Sequence, residues 1–108
     1  MSNSQRLEPK SRLAELVGYQ AGSIVSRTLI DKSVGTVTIF AFAPGQGLSE
    51  HTAPYDALIL GVEGSAEIML SGTPHQVAPG DLIYMRADEA HSVKALTEFK
   101  MLLIMIRE

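Results

Sequence analysis

Three histidines, His51, His75 and His91, are the side chains of this chain best suited to hold a divalent transition metal or to carry a proton near neutral pH. A lone histidine reads equally well as a hydrogen-bonded structural group, so each keeps both readings at this stage. His51 follows the glycine-rich stretch Gly45-Gln46-Gly47 and leads into an apolar run, which puts it at a strand edge facing a pocket. His91 shares a side-chain face with Val93, and His75 shares one with Val77; His75 therefore points inward if Val77 is core, or is an exposed strand residue.

Two neutral imidazoles leave a metal short of protein ligands, because catalytic zinc uses about three and the iron facial triad adds a carboxylate to two histidines. A third inward histidine would complete a site, and so would a carboxylate or bound waters. Glu50 and Asp56 are the nearby carboxylates, but strand alternation points even-numbered residues away from His51. Pro54, which lacks an N–H, can break that alternation, so Asp56 reads as a ligand or acid–base group, or as an ordinary solvated carboxylate. Tyr55 has the parity of His51, Ala53 and Ala57, and places a hydroxyl in the pocket or an aromatic ring at its rim. Phe40, Phe42, Ile59 and Met85 read as core or as pocket lining. The chain has no phosphate-binding loop, dinucleotide fingerprint, GxSxG elbow or HExxH, which sets aside nucleotide hydrolysis and serine-type acyl transfer.

The elements that must position these residues are mostly short strands. Leu13, Leu16 and Val17 recur at helical spacing between Pro9 and Gly18, with Ser11 as a cap, and predict a short helix or a turn of helix; residues 1–8 are polar and expected to be disordered or loosely packed. From Gly22 the apolar period shortens. Ile24–Ile30 and Val37–Phe42 predict two strands joined through Asp31–Gly35, and the cluster from Ala43 to Gly47 is a turn. Further strands are expected at 57–62, 65–70, 73–77, 82–85, 91–95 and 99–106, with a Ser71-Gly72 hairpin and a turn at Pro79-Gly80-Asp81. Such spacing implies an antiparallel sandwich or barrel. Residues 1–20 form an arm with the short helix, and residues 21–108 a single β-barrel domain.

Gly45, His51 and Gly64 have the spacing of the first cupin motif, and Gly80 with His91 that of the second, so the stretch from Gly45 to Ala95 resembles the cupin superfamily. The resemblance implies a double-stranded β-helix, or jelly roll, with three metal ligands from the first motif and a fourth from the second, all directed into the barrel. Ala53 stands at the second-histidine position and Ala57 at the glutamate position; Arg86, Asp88 and Ala95 replace the proline, glycine and asparagine of the second motif. Two of four ligands are thus missing, and His51 and His91 survive.

At 108 residues there is room for one domain and one core, and with 45% apolar residues a folded chain is favoured over disorder. The formal charge of −3 provides no basic field for nucleic acid or for an anionic membrane. The chain has no cysteine, which excludes disulfides and thiolate chemistry. With no signal-peptide pattern at residues 1–12, a cytoplasmic protein is expected. The last run, Phe99–Ile106, is apolar on both faces, so its outer face must pack on the N-terminal segment or on another subunit; a homodimer is the expectation.

Two functions fit these residues. One is a barrel that binds a small molecule, with a reduced or absent metal site. The other is a metal-dependent enzyme of oxygenase or isomerase type, in which His51 and His91, completed by His75, Asp56 or waters, weakly hold one divalent transition metal.

Overall fold

The computed structural model describes residues 7–107. After a 3-10 turn at Leu13–Glu15 come nine strands: β1 Ile24–Lys32, β2 Gly35–Phe42, β3 Gly47–His51, β4 Asp56–Glu63, β5 Ala66–Leu70, β6 Thr73–Val77, β7 Leu82–Met85, β8 His91–Ala95 and β9 Phe99–Ile106. They form two antiparallel sheets, ordered β1-β2-β9-β4-β7 and β3-β8-β5-β6. This is the jelly roll expected from the sequence. No helix among the described residues is long and apolar enough to cross a membrane.

Period-two alternation decides which side chains meet between the sheets. Ala57 and Ile59 of β4, Phe99 and Met101 of β9 and Phe42 of β2 face Ala66 and Ile68 of β5 and Val93 and Ala95 of β8 in one buried cluster. Phe42 and Phe99 are fully buried with ring centroids 5.7 Å apart, and burial of each ring contributes about 1.5–3 kcal/mol. Ser71 and Gly72 both take positive φ, 48° and 85°, as the two-residue β5–β6 hairpin requires.

The expected N-terminal helix is only the single 3-10 turn. Arg12, not Ser11, precedes it and makes no side-chain cap, and three residues cannot offset the cost of nucleating an α-helix. What fixes the segment is tertiary contact: Leu13, Leu16, Val17 and Tyr19 pack on Ile39, Ala41 and Leu102, the outer face of β2 and β9. The arm therefore covers part of the outer face of the doubly apolar last strand. Beyond it, Val37, Ile104, Leu58 and Tyr84 form a cross-strand row on the same face, and Tyr84 is 53% exposed.

A second correction concerns β3. Residues 47–51 read as the exit of a turn with His51 opening a strand, whereas His51 closes β3. Gly-Leu-Ser-Glu-His carries one apolar residue and gives no alternation to read.

Candidate ligand-binding site

His51 and His91 stand directly opposite each other on β3 and β8. Between the pairs Leu48–Val93 and His51–His91, β3 has two residues, Ser49 and Glu50, where β8 has one, Ser92, which is a β-bulge. Without the extra residue, alternation from Leu48 would aim Glu50 at the barrel interior and His51 at solvent. With it, Leu48 and His51 line the same cavity. Gly47 makes the approach of β3 possible, since a Cβ there would overlap the carbonyl oxygen of Val93.

The two imidazoles lie with ring centroids 4.2 Å apart and planes inclined by 64°. His51 Nδ1 is 2.7 Å from the carbonyl oxygen of Ser49, and His91 Nδ1 is 2.9 Å from that of Glu89. A carbonyl oxygen only accepts, so both Nδ1 atoms carry the proton. In each neutral ring Nε2 is then the lone-pair nitrogen. The main chain thus fixes the tautomer of both rings.

The cavity beside them has a volume of about 60 Å³ and opens between the two sheets. His51, Ala53, Tyr55, Ala57 and Ile59 all line it, as their shared parity predicts, and His91 and Val93 face them from β8. Met85 and Arg86 come from the end of β7, and Met101, Leu103 and Met105 from β9. Sequence reading missed this β9 contribution, although odd parity from buried Met101 marks it, and it missed Arg86. The three remaining candidates lie elsewhere. Phe42 is fully buried in the core between Phe40 and Phe99, at centroid distances of 6.0 and 5.7 Å. His75 is exposed on β6, opposite Ile68 at the sheet edge. Asp56 Oδ1 accepts the N–H of Ala87 at 2.9 Å, which ties the start of β4 to the loop that carries Arg86.

The donor set does not fit a four-ligand metal centre. Ala53 and Ala57 present methyl groups where the cupin resemblance places imidazole and carboxylate, and no three His, Cys, Asp or Glu side chains converge among the described residues. Arg86, an exposed cation among the lining residues, also disfavours a dication nearby.

A separate polar cluster anchors the N-terminal arm. Lys100 Nζ lies 3.2 Å from Glu63 Oε1, donates to the carbonyl of Ala14 at 2.5 Å and sits 4.8 Å above the Tyr19 ring, while Tyr19 Oη donates to Glu63 at 2.6 Å. Burial, then the Glu63 bond, pushes the Tyr19 hydroxyl pKa up; that bond, with a smaller contribution from Lys100, holds the Glu63 carboxyl below its ordinary value.

Comparison with known proteins agrees with this fold. A cupin superfamily protein of Desulfitobacterium hafniense superposes with a TM-score of 0.90 at 25% identity, covering 95% of each chain. A cupin 2 conserved barrel domain protein of Leptotrichia buccalis is 42% identical with a TM-score of 0.84, over 88% of this chain and 46% of that one. Among curated relatives, the HTH-type transcriptional activator RhaS of Mannheimia succiniciproducens is 27% identical over 78% of this chain, and the dimethylsulfoniopropionate lyase DddW of Ruegeria pomeroyi 30% over 68%. The matched regions span 31% and 52% of those two relatives' lengths. Residues 38–107, which run from β2 through β9 and carry both surviving histidines, match the family described as Cupin domain, and the chain belongs to that family.

Proposed function

We propose that this barrel binds a small organic molecule through the His51–His91 pair, without a resident metal. The observation that carries this reading is the cavity wall itself: two main-chain-oriented imidazoles, with alanine methyl groups at positions 53 and 57 and aliphatic and methionine side chains around them. A concave, largely apolar site with a few fixed polar groups is the usual form of a small-molecule pocket. The likeness to a transcriptional activator over less than a third of that protein's length supports a sensing role. We place the protein in the cytoplasm.

A metal-dependent enzyme of oxygenase or isomerase type is the second reading. It is favoured by the tautomers, since a metal-binding histidine commonly donates its other ring N–H to a carbonyl and leaves Nε2 for the ion. The similarity to a lyase points the same way. The test is a thermal-shift screen of chelator-treated protein against small alcohols, polyols and organic acids, with a His51→Ala, His91→Ala double variant as control. The binding reading expects at least one compound to raise the wild-type midpoint and leave the variant's unchanged. A midpoint that moves only when divalent metal is returned would refute it.

A further inference from the structure

The hydrogen-bonding complement of the cavity narrows the ligand class. With both Nδ1 protons held by the carbonyls of Ser49 and Glu89, the neutral form of each of these two cavity-lining imidazoles keeps its lone pair on Nε2, and the rings are in contact. In this tautomer a hydrogen-bond donor is the group that the two neutral imidazoles accept from.

Arg86, on the same wall, has the opposite requirement. No aspartate or glutamate lines the cavity, and the one ion pair among the described residues is Lys100–Glu63. Two neighbouring carboxylates are engaged through other groups. Glu89 accepts from the main-chain N–H of Arg86 and from the Ser71 hydroxyl, and Asp56 accepts from the N–H of Ala87. Arg86 lines the cavity, its exposed side chain has no carboxylate within ion-pair distance among those residues, and its planar fork of donors matches a carboxylate at the mouth.

We propose that the ligand is a short-chain hydroxycarboxylate whose hydroxyl donates to Nε2 of His51 or His91 and whose carboxylate is held by Arg86. This rests on the binding reading above and adds the ligand class. The volume limits the chain: a cavity of about 60 Å³ takes a small group, a hydroxyl with a short alkyl portion, with the carboxylate at the mouth. Met105 and Leu103 meet the alkyl portion.

The experiment is calorimetric titration of chelator-treated full-length protein with lactate, propionate and 1,2-propanediol, together with NMR of the His51 and His91 ring signals. Lactate is expected to bind at least roughly tenfold more tightly than propionate, which lacks the donor, and than propanediol, which lacks the anion. Arg86→Gln is expected to weaken lactate by a similar factor and leave propanediol unchanged, with Arg86→Lys intermediate; an unchanged thermal midpoint in each variant shows that the fold is intact. Equal affinity for lactate and propionate overturns the assignment, and so does lactate binding that is unchanged in Arg86→Gln. Propanediol moving the histidine signals while neither acid binds overturns the hydroxycarboxylate and leaves the binding reading standing. No response to any of the three overturns the hydroxycarboxylate, and, where the signals respond only to added divalent metal, the binding reading falls with it.

Discussion

Ala57→Val is expected to make the protein more stable and less able to bind. Ala57 is 7% exposed, lines the cavity, and stands opposite Met85 on β7 and Met105 on β9. Valine adds two methyl groups to a strand position that suits a β-branched residue. Two buried methyls are worth up to about 1.6 kcal/mol at about 0.8 kcal/mol each, and repacking takes part of that back. The flanking methionines are unbranched and adjust readily, so a net gain of about 1 kcal/mol is expected. In a domain of this size that raises the melting midpoint by about 4–8 °C. The same methyls project into this small cavity, so lactate affinity should fall at least roughly tenfold. Differential scanning calorimetry and titration calorimetry on one preparation read both effects. A lower midpoint with lactate binding intact would refute the reasoning, because the space beside Ala57 would then be neither a void nor the ligand site.

Other perturbations test the supports of the site. Gly47→Ala forces a methyl into the Val93 carbonyl and should cost roughly 1–3 kcal/mol in denaturant unfolding, displacing β3 and with it His51. The Tyr19–Glu63–Lys100 cluster predicts two limbs in stability against pH. Glu63 titrates below its ordinary 4.5 when folded, so its contribution is present above that value and is lost as pH falls through the folded pKa; Tyr19 titrates above its ordinary 10.0, so its contribution is present below 10.0 and is lost as pH rises through the folded pKa. Glu63→Gln should flatten the acid limb and Tyr19→Phe the alkaline limb in midpoints measured from pH 3 upward. The apolar row Val37, Ile104, Leu58 and Tyr84, on a sheet face that is ordinarily polar, predicts a homodimer; light scattering should give about twice the 11.6 kDa chain mass, and a monomer at high concentration would contradict it.

Much of this architecture is written in short-range pattern. The strands from 57 onward show alternating or continuous apolar runs bounded by Gly, Pro and Ser, and β4, β5, β6, β7, β8 and β9 lie within one residue of where that pattern puts them. Parity along 51–59 also places Tyr55 and Ile59 beside His51. Three features were not legible, for different reasons. β3 is almost wholly polar, and a strand recognised only through its partner leaves no signal in its own residues. The N-terminal segment was legible as one of two covers for β9, but its form was not: a single 3-10 turn held by the outer face of β2 and β9 stands in place of a helix. Arg86 follows the last residue of β7, and its place at the cavity depends on a loop tied down by Asp56, thirty residues earlier in the chain. His75 illustrates the converse, since sharing a face with a core valine does not bury a residue at the sheet edge.

The most direct test of the central claim is the metal content of protein purified without a polyhistidine tag or added metal, measured by elemental mass spectrometry. Two imidazoles with alanines at positions 53 and 57 and an arginine on the cavity wall predict far less than one transition metal per chain. Close to one metal per chain, lost in the His51→Ala, His91→Ala variant, would contradict the account.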